Sequence, residues 1–339
     1  MALRLIEIVV PEGYAKEVKD LLRDQNVLDF WEEIIAGNQA RIKVLLPTKE
    51  TQAVLDLLEK RFYKRRDTRI ILLPVEASIP RPEPEEKPPP SPHDTEPEKK
   101  PVKKTARISR EELYYDIEKM TRFSWIFIVL IILASVVASV GILRNNVVFI
   151  IGAMVIAPVL GPNVGLSLGT TLGDINLSRR AIETITIGIL TALVFSIAIG
   201  LVFKVNPDIP ELISRTRVNF GDIALALAAG SAAALSLTTG LLSALIGVMV
   251  AVALLPPLVT LGMLIGSGYW EMALGSLLLF LINLICINLA GVVTFLIQGI
   301  RPLTWWEADR AKRSTKIAIF LWTSLLVALA VLILFSQKG

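Results

Sequence analysis

Apolar and polar positions divide the chain into two parts of different character. Over residues 1–77, apolar residues either alternate with polar ones or recur at helical spacing, as in a small globular domain. Beyond residue 122, the apolar runs are long enough to cross a lipid bilayer. The pattern therefore predicts an N-terminal α+β domain followed by a polytopic α-helical membrane domain.

Short strands and helices follow one another in the N-terminal domain, residues 1–77. Four strands are expected over residues 3–10, 27–35, 40–46 and 69–75, with one helix around Val18 and a second from Thr48. The resulting order β-α-β-β-α-β is that of the ferredoxin-like arrangement. We therefore predict a ferredoxin-like domain, which lies in the cytoplasm because no export signal precedes it.

A linker separates the two parts. Residues 78–108 hold nine prolines among Glu, Lys and Ser, which is too little apolar surface to form a core. The membrane domain is assigned to residues 109–339. Ser109 and Glu112 have the spacing of a capping box and predict a helix that leads into the first span.

Seven apolar segments have about the length of a membrane span. They cover residues 123–142, 147–172, 178–203, 221–239, 241–265, 271–299 and 315–336. Basic residues cluster before the first segment, between the second and third, and between the sixth and seventh. This bias favours seven spans in a cell membrane, with the N-terminal domain inside. A re-entrant hairpin at a proline-containing segment would change that number.

The membrane region carries an internal duplication. Residues 151–155 (IGAMV) recur about 95 positions later as residues 246–250 (IGVMV), and prolines follow both copies. The halves cover about residues 123–203 and 221–300, with residues 315–336 as an extra helix, and seven spans would make the repeat inverted. Proline at bilayer depth frees backbone groups that lipid cannot satisfy. Paired broken helices therefore point to the substrate site of a transporter.

Small, helix-breaking and polar residues near the two proline segments are the candidates for a pathway or substrate site. They are Pro158, Gly161, Pro162, Asn163, Gly165, Pro256, Pro257, Asn283 and Asn288. A stripe of glycines such as Gly161 and Gly165 also suits close helix packing. Asn283 and Asn288 either bond to neighbouring helices or contact substrate, and their separation of five residues predicts different contacts.

Composition narrows the classes of function. The chain is 53% hydrophobic and 19% charged, with a net charge of +4, which gives little support to nucleic-acid binding. One cysteine and no cluster of acids, bases or metal ligands argue against an enzyme, a metal site or a cofactor. A basic cluster in the N-terminal domain comprises Lys60, Arg61, Lys64, Arg65, Arg66 and Arg69. It either is solvated or binds an anion, which would be an anionic lipid headgroup, a nucleotide or another small anionic ligand.

Three motifs in the membrane domain carry a family resemblance. They are the stretch 152–158 followed by Gly161-Pro162, the stretch 243–248 leading to residues 253–257, and the stretch 281–290. Over about residues 120–300 the chain resembles domain-of-unknown-function family 389. The resemblance implies a multi-pass membrane protein of bacteria or archaea. The N-terminal domain is similar to ferredoxin-like modules that sense ligands in other proteins.

Two hypotheses of function follow. The first is a transporter or channel for a small solute or ion, regulated by the cytosolic domain, in contact with lipid and assembled as a homo-oligomer. The second is a membrane receptor or scaffold that transports nothing and whose N-terminal domain binds a ligand or partner. A solvated cavity at the breaks would favour the first, and dense packing would favour the second.

Overall fold

The chain folds into two compact units, Met1–Glu112 and Leu113–Gly339. The structure, a computed structural model, describes residues 3–300 apart from 36, 63–64, 66, 76–77, 79–108, 204 and 240–242, together with residues 319–320, 322–324 and 327. Each unit has a hydrophobic core of its own.

The first unit has the element order that the sequence predicts. Its elements are β1 (Leu3–Pro11), α1 (Ala15–Leu22), β2 (Asp29–Ile35), β3 (Gln39–Pro47), α2 (Thr48–Phe62) and β4 (Arg69–Val75). The antiparallel sheet has the order β2-β3-β1-β4. Alternate residues of the two central strands are buried, including Ile6, Ile8 and Ile42, and they form one core with apolar residues of α1 and α2.

The helix after the linker, α3 (Arg110–Thr121), begins at the predicted cap. The Ser109 Oγ accepts a hydrogen bond of 3.2 Å from the Glu112 backbone N–H. Within the first unit, the Arg4 guanidinium donates to both Glu112 carboxylate oxygens, at 3.1 and 2.9 Å. The Arg110 N–H donates to Gln52 Oε1 at 2.7 Å. Residues of β1 and α2 thus hold the first turn of α3.

The second unit is a bundle of apolar helices. They are α4 (Trp125–Leu143), α5 (Val147–Ile156), α6 (Leu160–Leu172), α7 (Ile175–Val202), the short α8 (Pro210–Ile213), α9 (Phe220–Thr239), α10 (Ser243–Gly266) and α11 (Trp270–Ile297). Among the described residues, five helices are long and apolar enough to cross a membrane, and the pair α5/α6, bent by 55°, makes a sixth candidate. The predicted seventh span, 315–336, falls almost entirely outside the described residues.

The second proline segment differs from its prediction, because α10 runs through Pro256 and Pro257 without a break. The alignment of the two halves explains this difference. At an offset of 95 residues, Pro256 and Pro257 correspond to Gly161 and Pro162, which are themselves helical. The counterpart of Pro158, where the first half breaks, is Ala253. The prediction of two broken helices is therefore wrong for the second.

Helix bounds and contacts repeat along the second unit. Both α7 and α11 have 28 residues, and they begin 95 positions apart, at Ile175 and Trp270. The glycines that precede them, Gly173 and Gly268, both have positive φ, 69° and 82°. The helix α7 packs on α10, and α11 packs on α6, so each third helix contacts the middle helix of the other half.

Candidate functional site

A break in the chain separates α5 from α6 inside the bundle. Ala157 is extended, with ψ of 118°, because a residue before proline is driven out of the helical region. Pro158 has no N–H, so the Met154 carbonyl loses its helical donor. The helix resumes at Leu160. Pro158 therefore sets the place of the break.

Two of the predicted pathway residues meet across the halves of the membrane domain. Asn288 Nδ2 on α11 donates to Asn163 Oδ1 on α6 at 3.2 Å. The Ser167 hydroxyl lies within 3.3 Å of both Asn288 Oδ1 and the Asn288 carbonyl oxygen. We call Asn163, Ser167 and Asn288 the amide bridge.

The amide bridge is buried and satisfied. Asn163 is 3% exposed and Asn288 is 0% exposed. Their Nδ2 groups also donate to carbonyls of their own helices, Asn163 to Val159 at 2.7 Å and Asn288 to Leu284 at 2.9 Å. Ser167 was missed by the sequence analysis, although it follows Asn163 by four residues and so lies on the same helical face. Such a network fixes α6 against α11, because a partly broken one would leave buried groups unpaired.

A small cavity adjoins the break and the amide bridge. Its volume is about 40 Å³, which is room for a few water molecules. Asn163 supplies the one amide group of the lining, and the other lining residues are apolar, glycine or proline. The lining residues are Phe127, Ile131, Val159, Pro162, Asn163, Ile185, Gly188, Ile189, Ala192, Leu254, Leu255, Leu258, Phe280 and Leu284. The helices α4, α6, α7, α10 and α11 all contribute. The two halves of the membrane domain therefore line this space together.

Asn283 makes a contact separate from the bridge, as its spacing predicts. Its Nδ2 donates to the Ala253 carbonyl oxygen of α10 at 2.7 Å. That carbonyl lies four residues before Pro257, which cannot supply the usual helical N–H. The Asn283 amide thus replaces one donor that a proline of α10 removes, which helps α10 to remain helical.

The glycine stripe of α6 is a packing face. A Cβ atom on Gly161 would overlap the carbonyl oxygen of Met120, and one on Gly165 would overlap the Thr121 hydroxyl. The Thr121 hydroxyl is 3.3 Å from the Gly161 carbonyl oxygen, and the Thr184 hydroxyl donates to the Thr121 carbonyl at 3.0 Å. The end of α3 therefore covers Gly161 and Gly165 and fixes the first turns of α6 after the break.

A second contact holds α3 on the same unit. The Tyr114 hydroxyl donates to Asp174 Oδ2 at 2.7 Å, while Asp174 Oδ1 caps α7 by accepting from the N–H groups of Asn176 and Leu177. Arg180 pairs with Glu118 of α3 at 2.7 Å. Burial, and then the hydrogen bond to Asp174, raise the pKa of the Tyr114 hydroxyl.

The raised pKa of Tyr114 predicts a loss of stability in alkali. The folded state holds this proton more tightly than the unfolded state, whose tyrosine titrates at about pH 10. The contribution of the Tyr114 proton to the free energy of unfolding is therefore full below about pH 10. It is lost as the pH rises through the raised pKa of the folded state. We expect the melting temperature of Tyr114→Phe to fall less steeply than that of the wild type above about pH 10. Parallel slopes would contradict this assignment.

The basic candidates of the N-terminal domain are partly paired. Arg61 forms an ion pair with Glu17, and the Arg65 guanidinium lies 3.9 Å from the centre of the Tyr14 ring and donates to its hydroxyl at 2.6 Å. Lys60 lies in the last turn of α2 and Arg69 begins β4. Lys64 and Arg66 lie outside the described residues. The ion pair and the ring contact leave Arg61 and Arg65 less available to an external anion.

Comparison with known proteins places the membrane domain in a family. A family model described as "Domain of unknown function (DUF389)" matches residues 154–289, which include the break, the amide bridge and Asn283. The uncharacterized protein MJ0678 of Methanocaldococcus jannaschii is 34% identical over 336 residues, which cover 99% of this chain and 100% of that relative. The chain belongs to this family. The similarity to MJ0678 extends over both units. No solved structure matches the chain.

Proposed function

We propose that the chain is a membrane transporter or channel for a small solute or ion, regulated by its N-terminal domain. The observation that carries the proposal is the helix break at Pro158, which lies beside a cavity and an amide bridge inside the bundle. Interrupted helices at membrane depth are tolerated where protein or a water-filled space covers the free backbone groups. Transporters place substrate and ion sites at such interruptions.

The proposed architecture is an inverted repeat with residues 315–336 as a seventh span. Two observations support a repeat. The helices α7 and α11 have the same length and begin 95 positions apart, and each packs on the middle helix of the other half. Each half contains three consecutive spans, so the second half would start on the opposite side of the membrane. The N-terminal domain would then be cytoplasmic, in agreement with the basic clusters.

Lipid and a second copy of the chain are the proposed partners of the bundle surface. In the most apolar stretch of α7, 22% of the residues are buried, and its exposed side chains include Leu190, Val194 and Leu201. Such a surface suits acyl chains or a neighbouring protomer.

Flux into proteoliposomes tests the transport proposal. Full-length protein would be reconstituted, and permeation of Na⁺, K⁺, Cl⁻, phosphate and glycerol would be followed against protein-free vesicles. We expect at least one probe to permeate faster with the wild type, and Asn288→Leu to change that rate because it breaks the amide bridge. Equal permeation of every probe with and without protein would overturn transport for these classes of solute.

A receptor or scaffold is the second candidate, and close packing favours it. The glycine stripe is covered by α3, and the amide bridge has its partners within the bundle. In this alternative the N-terminal domain would bind a nucleotide or another small anion near Lys60 and Arg69. A thermal shift with ATP or phosphate, in protein that gives no flux, would favour the receptor.

A further inference from the structure

A buried acceptor atom without a partner lies between α10 and α11. Asn283 is 5% exposed, and its Oδ1 has no hydrogen-bond partner among the described residues. The Nδ2 of the same amide is held by the Ala253 carbonyl at 2.7 Å. The free oxygen is therefore fixed beside the turn of α10 that contains Val252 and Ala253.

The same turn of α10 has further carbonyl oxygens that lack their helical donors. Pro256 and Pro257 have no N–H, so the carbonyls of Val252 and Ala253 lose the bond that a regular helix provides. Asn283 replaces the donor for Ala253 alone. Asn283 Oδ1 and the Val252 carbonyl are thus acceptors beside one turn, deep in a helix whose apolar stretch is 78% buried.

The chemistry of these atoms points to a small cation. Both are oxygen acceptors, so a ligand that fits them supplies positive charge or hydrogen-bond donors. Residues 243–266 contain no charged side chain, and the one in residues 270–297, Glu271, lies at the start of α11. Neutral oxygens suit a monovalent ion better than Ca²⁺, which usually takes carboxylates. Backbone carbonyls that lack helical donors coordinate Na⁺ where transporter helices unwind. In α10 the two prolines free such carbonyls although the helix continues.

We propose that Asn283 Oδ1 and the Val252 carbonyl oxygen bind a monovalent inorganic cation within the membrane domain. The inference deepens the proposed function, on which the role of the ion rests, as either the transported species or a coupling ion. The binding itself requires no transport.

Thermal unfolding of the full-length protein in detergent tests the site. Na⁺ would replace choline at constant total salt, with tryptophan fluorescence as the readout. A ligand that binds the folded state raises the melting temperature with concentration. We expect a saturable rise with Na⁺ that Asn283→Ala abolishes. Asn288→Ala is the matched control, because it removes an amide from the same helix whose oxygen already has a partner. It should lower the melting temperature and keep the rise.

Pro256→Ala decides the outcome if Asn283→Ala does not fold. Alanine restores an N–H for the Val252 carbonyl and favours the helix, so the variant should fold while Na⁺ binds about ten-fold more weakly. The same melting temperature of the wild type in Na⁺ and in choline would overturn the proposal. A buried water molecule would then be the partner of these oxygen atoms. A rise that survives in both Asn283→Ala and Pro256→Ala would also overturn the proposal. If both variants lose the Na⁺-dependent rise in melting temperature and the wild type shows no flux in proteoliposomes, the cation site is supported and the transport proposal is rejected.

Discussion

Valine in place of Gly161 is expected to destabilise the membrane domain strongly. Its Cβ would overlap the Met120 carbonyl oxygen, and a backbone atom cannot move aside as a flexible side chain can. Overpacking of this kind typically costs about 1–3 kcal/mol, and we expect the upper end because α3 must shift away from α6. A lower yield of folded protein and a lower melting temperature would show it.

Gly152→Val provides the matched control for Gly161→Val. Gly152 lies on α5, the other side of the break, and a Cβ atom there meets nothing within 4 Å. Both variants introduce the same side chain into a helix, so differences in helix propensity largely cancel. Equal melting temperatures for the two variants would show that α3 does not rest on the glycine stripe.

Leucine in place of Asn288 is expected to have the second large effect. It leaves the buried Asn163 Oδ1 without its donor, whereas the Ser167 hydroxyl keeps the carbonyl oxygens of Asn163 and Asn288 as acceptors. Each buried polar group left unpaired costs about 1–3 kcal/mol. A double-mutant cycle with Asn163→Leu should give a coupling energy of about 0.5–3 kcal/mol, because the two amides share one hydrogen bond. The free energy of unfolding in mild denaturant is the measurement.

A buried hydroxyl elsewhere in the bundle is the control for the Asn288 variant. The Ser139 hydroxyl donates to the Ser135 carbonyl of its own helix at 2.8 Å. Ser139→Ala leaves no second side chain unpaired, so its effect should be smaller than that of Asn288→Leu. Additive effects of the Asn163 and Asn288 variants would show that the bridge does not couple the two halves.

Local sequence patterns predicted the parts of the fold that depend on neighbouring residues. Strands β1 and β3 follow from alternating apolar residues, the start of α3 from Ser109 and Glu112, and the break before α6 from Pro158. Each of these sequence patterns determines the backbone conformation of residues only a few positions away. The element order of the N-terminal domain could therefore be predicted, although its strands are paired across long stretches of chain.

Contacts between distant residues could not be predicted in the same way. Asn163 and Asn288 were both candidates, but nothing local says that positions 125 residues apart share a hydrogen bond. The covering of Gly161 by α3 is of the same kind, because a glycine stripe suits either packing or an open path. The unbroken α10 was predictable in principle, since the residue aligned with Pro158 is Ala253.

Among the described residues, the bend at Pro158 has no counterpart in the second half of the bundle. The first half bends at residues 157–159, whereas its counterpart α10 is continuous and packed on α4, α7, α9 and α11. In a transporter with two equivalent halves, the halves could exchange conformations, and the same movement would then open each membrane face. Here such an exchange would require α10 to bend at the turn of Val252 and Ala253, whose carbonyls lose their helical donors to the two prolines. The Asn283 amide holds this turn through its bond to the Ala253 carbonyl, and the first half has no such contact at Pro158 among the described residues. If the chain is the proposed transporter, opening towards the two faces therefore uses different movements, and a gradient in one direction should drive flux at a different rate from the reverse gradient.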